Sequence, residues 1–123
     1  MDISKFEKTN AQLEGIFIEI GALSKKKPDD AINKFKLKFI NQLLKEANEI
    51  LGPENLPFVD FSKFEEEDMP SNSDVVIILS QYLNCLEKLR ADNITVYGGN
   101  WYWISKGQRT EIRTSAPKKI LNK

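Results

Sequence analysis

The chain has 123 residues, of which 18 are basic and 18 acidic, with one cysteine and no histidine. Those counts exclude histidine-based acid–base catalysis, Ser-His and Cys-His nucleophile pairs, histidine metal sites, intrachain disulfides and thiolate zinc clusters. A net charge of zero also disfavours a globally basic nucleic-acid binder, although it leaves room for a local patch.

The length is that of a single domain, 1–123, and folding buries roughly two-thirds of the surface that an unfolded chain of this size exposes. With 41% hydrophobic and 29% charged residues the composition is that of an ordinary globular protein. There is no leader-like apolar run near the start and no stretch of membrane-spanning length. Together with a single cysteine, this makes a reducing cytoplasm the expected location, with no membrane partner. Richness in Lys, Asn and Ile suggests an AT-rich bacterial or phage genome.

Residues 4–23 are expected to form a first helix. Phe6, Leu13, Ile16, Phe17, Ile20 and Leu23 share one face, and Ser4 with Glu7 fits a capping box. Between Gly15 and Gly21 the β-branched run leaves a short strand open as an alternative. A second helix is expected over 29–51, opened by Pro28, Asp29 and Asp30 and stopped at Gly52. Its apolar stripe runs through Ile32, Phe35, Phe39, Ile40, Leu43, Ala47, Ile50 and Leu51. Lys36 falls at the centre of that arc, so it must either snorkel to water or find a buried carboxylate.

Residues 52–72 have no sustained period and read as a long acidic loop, tacked to the core by Leu56, Phe58, Val59, Phe61, Phe64 and Met69. Its run Glu65 to Asp68 offers oxygen ligands but lacks the spacing of a calcium loop, and a solvated acidic turn is the expected state. A third helix over 73–91 starts apolar on every side, which predicts burial on every side there. Cys85 lies on it as a small core hydrophobe rather than a reactive thiol.

From residue 94 to residue 114 the pattern alternates and is broken by Gly98-Gly99 and Lys106-Gly107, which predicts a three-stranded antiparallel meander. A basic tail, 117–123, is expected to be loose. The fold class is therefore α+β, three helices followed by a small β-meander.

The middle strand carries large apolar groups on both faces, with Trp101 and Trp103 on one and Tyr102 and Ile104 on the other. Either one face is left exposed, or the loop 52–72 covers it. Charge is also segregated: the loop holds six acids against Lys63, while residues 93–123 hold six basic side chains against Glu111. That pattern fits either an attraction between loop and sheet or two patches for different partners.

The candidate binding residues are accordingly Trp101, Tyr102, Trp103, Arg109, Arg113, Lys118 and Lys119. No phosphate loop, nucleophile elbow or dinucleotide fingerprint occurs, so no catalytic residue, cofactor or metal is assigned. The expected function is a small, non-catalytic protein that binds another protein as a regulator, inhibitor, immunity-type or accessory factor. The alternative is a single-stranded nucleic-acid binder using the aromatic and basic meander. A homo-oligomer is compatible with either.

Overall fold

The computed structural model describes residues 1–120. Three helices, α1 (Ile3–Lys26), α2 (Lys34–Leu51) and α3 (Asn72–Ala91), precede strands β1 (Ile94–Tyr97), β2 (Asn100–Ser105) and β3 (Gln108–Thr114). The strands form one antiparallel sheet in the order β1-β2-β3, so the expected α+β arrangement is the observed one.

Helix α1 runs unbroken through the segment between Gly15 and Gly21. Ile20 is fully buried and Ile16 packs against the core, so tertiary packing overrides the local strand preference of the β-branched run. The start differs from expectation. Asp2 is the N-cap, its carboxylate accepting from Lys5 N–H at 3.0 Å, so the Ser4–Glu7 box does not form. The helix begins at Ile3, so Ser4 lies inside its first turn, and Phe6 N–H, which a Ser4 cap could have served, is already bonded to Asp2 O at 3.0 Å.

Helix α2 begins at Lys34, not at Asp29. Asn33 caps it, its side-chain oxygen accepting from Phe35 N–H at 2.8 Å and Lys36 N–H at 3.1 Å. Residues 28–32 serve another element. Pro28 O and Asp30 O accept from Ser73 and Asn72, Pro70 O accepts from Ile32, and Ala31 bridges Ser71. A backbone pairing with the entrance to α3 thus replaces the first helical turn that proline and two aspartates suggested.

The buried stripe of α2 is Leu37, Ile40, Leu43, Leu44, Ala47 and Leu51. Phe35, 80% exposed, and Phe39 lie outside it, so the stripe is rotated from the expected one. Lys36 consequently sits near the edge of the buried arc. Its side chain is part-exposed and its ammonium lies 3.6 Å from Glu19 on α1.

Helix α3 opens with a full capping box between Ser71 and Asp74. Val75, Val76, Leu79, Tyr82, Leu83 and Leu86 are buried, but Ile77 is half-exposed, so the helix is not enclosed on every side at its start. Loop 52–72 is pinned to α2 by two asparagines. Asn41 donates to Phe64 O and accepts from Phe64 N–H, both at 2.9 Å, and Asn48 donates to Ser62 O at 3.0 Å. Phe58, Phe61 and Phe64 form an edge-to-face chain beside it, whereas Val59 and Met69, expected to help tack the loop down, point to solvent. The acidic run makes one exposed 3₁₀ turn, Glu66–Asp68, where Glu66 pairs with Lys34 of α2 at 3.4 Å.

The two hairpin turns use left-handed residues, Gly98 and Gly99 at φ 58° and 82°, then Lys106 and Gly107 at 52° and 77°. These are the conformations that two-residue hairpins require. Ile94 pairs with Trp103, and Tyr102 with Arg113. Between Tyr102 and Ile104 the register of β3 slips at a bulge, where the Thr110 hydroxyl donates to Trp103 O at 2.8 Å and accepts from Ile112 N–H at 3.1 Å.

The sheet docks on the helices through Trp103, which is fully buried, meets Phe6 edge-on at 5.1 Å and donates its indole N–H to Glu7 at 3.1 Å. Trp103→Ala should cost ~3–5 kcal/mol in a urea melt, as large core aromatics do, and Trp101→Ala distinctly less because Trp101 is only part-buried. Lys36→Met should stay within ~1 kcal/mol of the parent, because its ion pair with Glu19 is largely solvated.

Candidate functional site

The structure divides the seven candidate residues among three places. Trp103 belongs to the core and offers no surface to a ligand, and Trp101 is part-buried against the same cluster. Tyr102, Arg109 and Arg113 lie together on the opposite, outer face of the sheet. Lys118 and Lys119 are elsewhere, lining a cleft of about 240 Å³ between α1 and α3 with Asn10, Glu14, Phe17 and Leu83.

The outer face follows from strand alternation. Pairing Thr95 with Tyr102 and Tyr97 with Asn100 brings two tyrosines diagonally together on the side away from Trp103. Tyr97, which sequence reasoning had not singled out, is 62% exposed. The Arg109 guanidinium lies 4.2 Å from the Tyr97 ring centre and 5.1 Å from that of Tyr102. Cation–π contacts of this kind stabilise by about 0.5–1 kcal/mol when exposed, which favours the arginine's position over the rings. Arg113 donates to the Asn100 side-chain oxygen at 2.7 Å, and Glu111 reaches Arg109 at 3.3 Å. The result is a patch of two rings and two oriented guanidinium groups. Loop 52–72 lies against α2 instead, and its ion pair goes to Lys34 rather than to the arginines.

The second unforeseen group is the pair Glu87–Arg90 near the end of α3. Arg90 is 4% exposed. Its Nε and Nη2 donate to the two Glu87 oxygens at 2.9 Å, Nη1 to Thr114 Oγ1 and Ser115 O at 2.8 Å, and Nη2 also to Ala116 O at 2.9 Å. Glu87 in turn accepts from Lys118 N–H at 2.8 Å. The tail is therefore fastened to α3 as far as Lys118, where a loose segment was expected. Residues 121–123 of that tail lie outside the described residues. The signal was present in the sequence: Leu79, Leu83, Leu86 and Arg90 fall on one helical stripe, so Arg90 occupies a core position.

Burial by itself would raise the Glu87 carboxyl, but its bonds from Arg90 and Lys118 outweigh that and hold it below the ordinary value of 4.5. The Cys85 thiol is pushed up, because burial disfavours the thiolate, which makes it a poor nucleophile. Burial likewise raises the Tyr82 phenol, which donates to Asn48 at 2.6 Å. No group of three carboxylate or thiol ligands is clustered among the described residues.

A depressed carboxylate contributes stability above its unfolded pKa and loses it as pH falls through the lower folded value. Acid titration of folding should therefore show a loss below about pH 4.5 that is reduced in Glu87→Gln. Arg90→Leu should cost ~3 kcal/mol or more at neutral pH, since it leaves the buried acid alone.

No family model matches this chain, and no curated protein or solved structure is significantly similar to it.

Proposed function

We propose that this is a non-catalytic protein that binds another protein on the outer face of its β-sheet, acting as a regulator, inhibitor, immunity-type or accessory factor. The observation that carries this is the Arg109 guanidinium placed over both Tyr97 and Tyr102 on the outer face of the sheet, where Tyr97 is largely exposed. Tyrosine and arginine are the side chains most often found as interface anchors, because each combines a flat apolar body with directional donors. Here their rotamer freedom is already restricted before any partner arrives, which lowers the entropy cost of binding. The partner's chemistry follows from the patch: an acidic surface with carboxylates to meet Arg109 and Arg113. Protein binding in a cytoplasm is the setting proposed; no helix among the described residues is long and apolar enough to cross a membrane.

A second reading, single-stranded nucleic acid stacked on the two tyrosines, draws on the same face. It is weakened by the dispersal of the cations. Lys118 and Lys119 lie at the α1–α3 cleft and Trp103 is core, so two arginines and Lys106 remain to meet phosphates.

Affinity capture from native cell extract with the parent chain and with Tyr97→Ala and Arg109→Ala variants tests the proposal. A protein retained by the parent should be lost with both variants, each weakening its binding by ~2 kcal/mol at unchanged folding stability. Retention by both variants would refute the sheet as the docking face. Oligonucleotide titration separates the second reading, which requires log affinity to fall with log salt at a slope of about −0.7 per phosphate neutralised.

A further inference from the structure

The C-terminal half of α1 and the start of α3 leave a second surface uncovered, independent of the sheet face. An open groove of about 660 Å³ lies there, lined by Phe17, Ile18, Gly21, Ala22, Lys25 and Val76. Ile18 is 70% exposed, and Ile77 on α3, 49% exposed, lines an adjoining cleft that shares Ser24 and Val76 with this groove. Glu14, Ile18, Gly21 and Lys25 recur at four- and three-residue steps, which places them on one line along α1.

That line is complementary to itself when reversed. About a two-fold axis midway between Glu19 and Ile20, position 18 faces position 21 and position 14 faces position 25. The bulky side chain then meets the glycine and the acid meets the base, at both ends of a contact spanning about 16 Å at 1.5 Å per residue. We propose that this face is a self-association surface, on which a second copy of the chain lays its own α1 antiparallel across the first. Ile18 seats over Gly21 of the second copy, and Glu14 pairs with Lys25 of the second copy.

Two further observations support this occupant over another. A Cβ at Gly21 would meet nothing within 4 Å, so nothing inside the monomer demands glycine there, although glycine destabilises a helix interior relative to alanine. Close approach of a backbone from outside does demand it. Lys25 pairs with no carboxylate among the described residues, and Glu14 holds only a 3.4 Å bond from the Asn10 amide on its own helix and a 3.8 Å contact with Lys118, both long enough to give way to a pair across an interface.

The test is sedimentation equilibrium of the full chain with four variants. The parent should be a concentration-dependent dimer that dissociates as salt rises. Glu14→Lys and Lys25→Glu should each weaken it about tenfold, because both symmetric pairs become repulsive, and the double reversal should restore it. Gly21→Leu, whose Cβ meets nothing in the monomer and which favours the helix, should abolish dimerisation while leaving or raising the melting temperature. A parent that stays monomeric up to about 1 mM would overturn the proposal. So would a dimer indifferent to Gly21→Leu, or one that the double reversal fails to restore.

Discussion

The relation of sheet to helices depends on one guanidinium. Arg90 carries five N–H donors, and every one is used: two on Glu87 and three on the backbone and hydroxyl of residues 114–116. A buried arginine with fewer partners would be costly, so the segment after β3 has little choice of path. Fixing that path fixes the end of β3 against α3, and with it the face that β2 turns inward. Trp103 then fills the gap over Phe6, and its indole N–H finds Glu7. The apolar core and the ionic clamp are two ends of one attachment.

Much of the fold was legible in the residues because local and global preferences agree there. The three helical stripes, the glycine turns and the alternation from Ile94 to Thr114 all point to the structure observed. The misreadings arise where distant groups decide. Pro28 to Asp30 carry good helix-start chemistry, but the entrance to α3 claims their carbonyls. Phe35 and Phe39 look like core positions, but the neighbours of α2 lie towards Leu37 and Leu44, and hydrophobicity alone cannot choose between overlapping arcs.

The candidate site was legible only by composition. Aromatic bulk falls on both faces of β2, and which face meets the helices depends on the partners of Trp103. Those sit about a hundred positions away in the chain and leave no local trace. The outward face therefore belongs to Tyr97 and Tyr102, with Arg109 between them. The segregated charge resolves in the same way. The acids of loop 52–72 face α2 and water, the arginines face outward from the sheet, and the Lys118 ammonium turns towards Glu14 while its backbone N–H is held by Glu87.

The bulge in β3 has a bearing on what kind of contact this sheet can make. β3 is an outer strand, and an outer strand of seven residues with free N–H and C=O groups is a template for edge-to-edge pairing and aggregation. Here Thr110 folds a hydroxyl back into its own ladder, and residues 110–112 crowd opposite the single position of Trp103. The row of backbone groups loses its regular spacing, and the other edge, β1, is only four residues long. Strand addition by an incoming chain is thereby blunted on both sides. The recognition proposed for this sheet therefore rests on side chains, whose chemistry can discriminate between partners in a way that a bare backbone edge cannot.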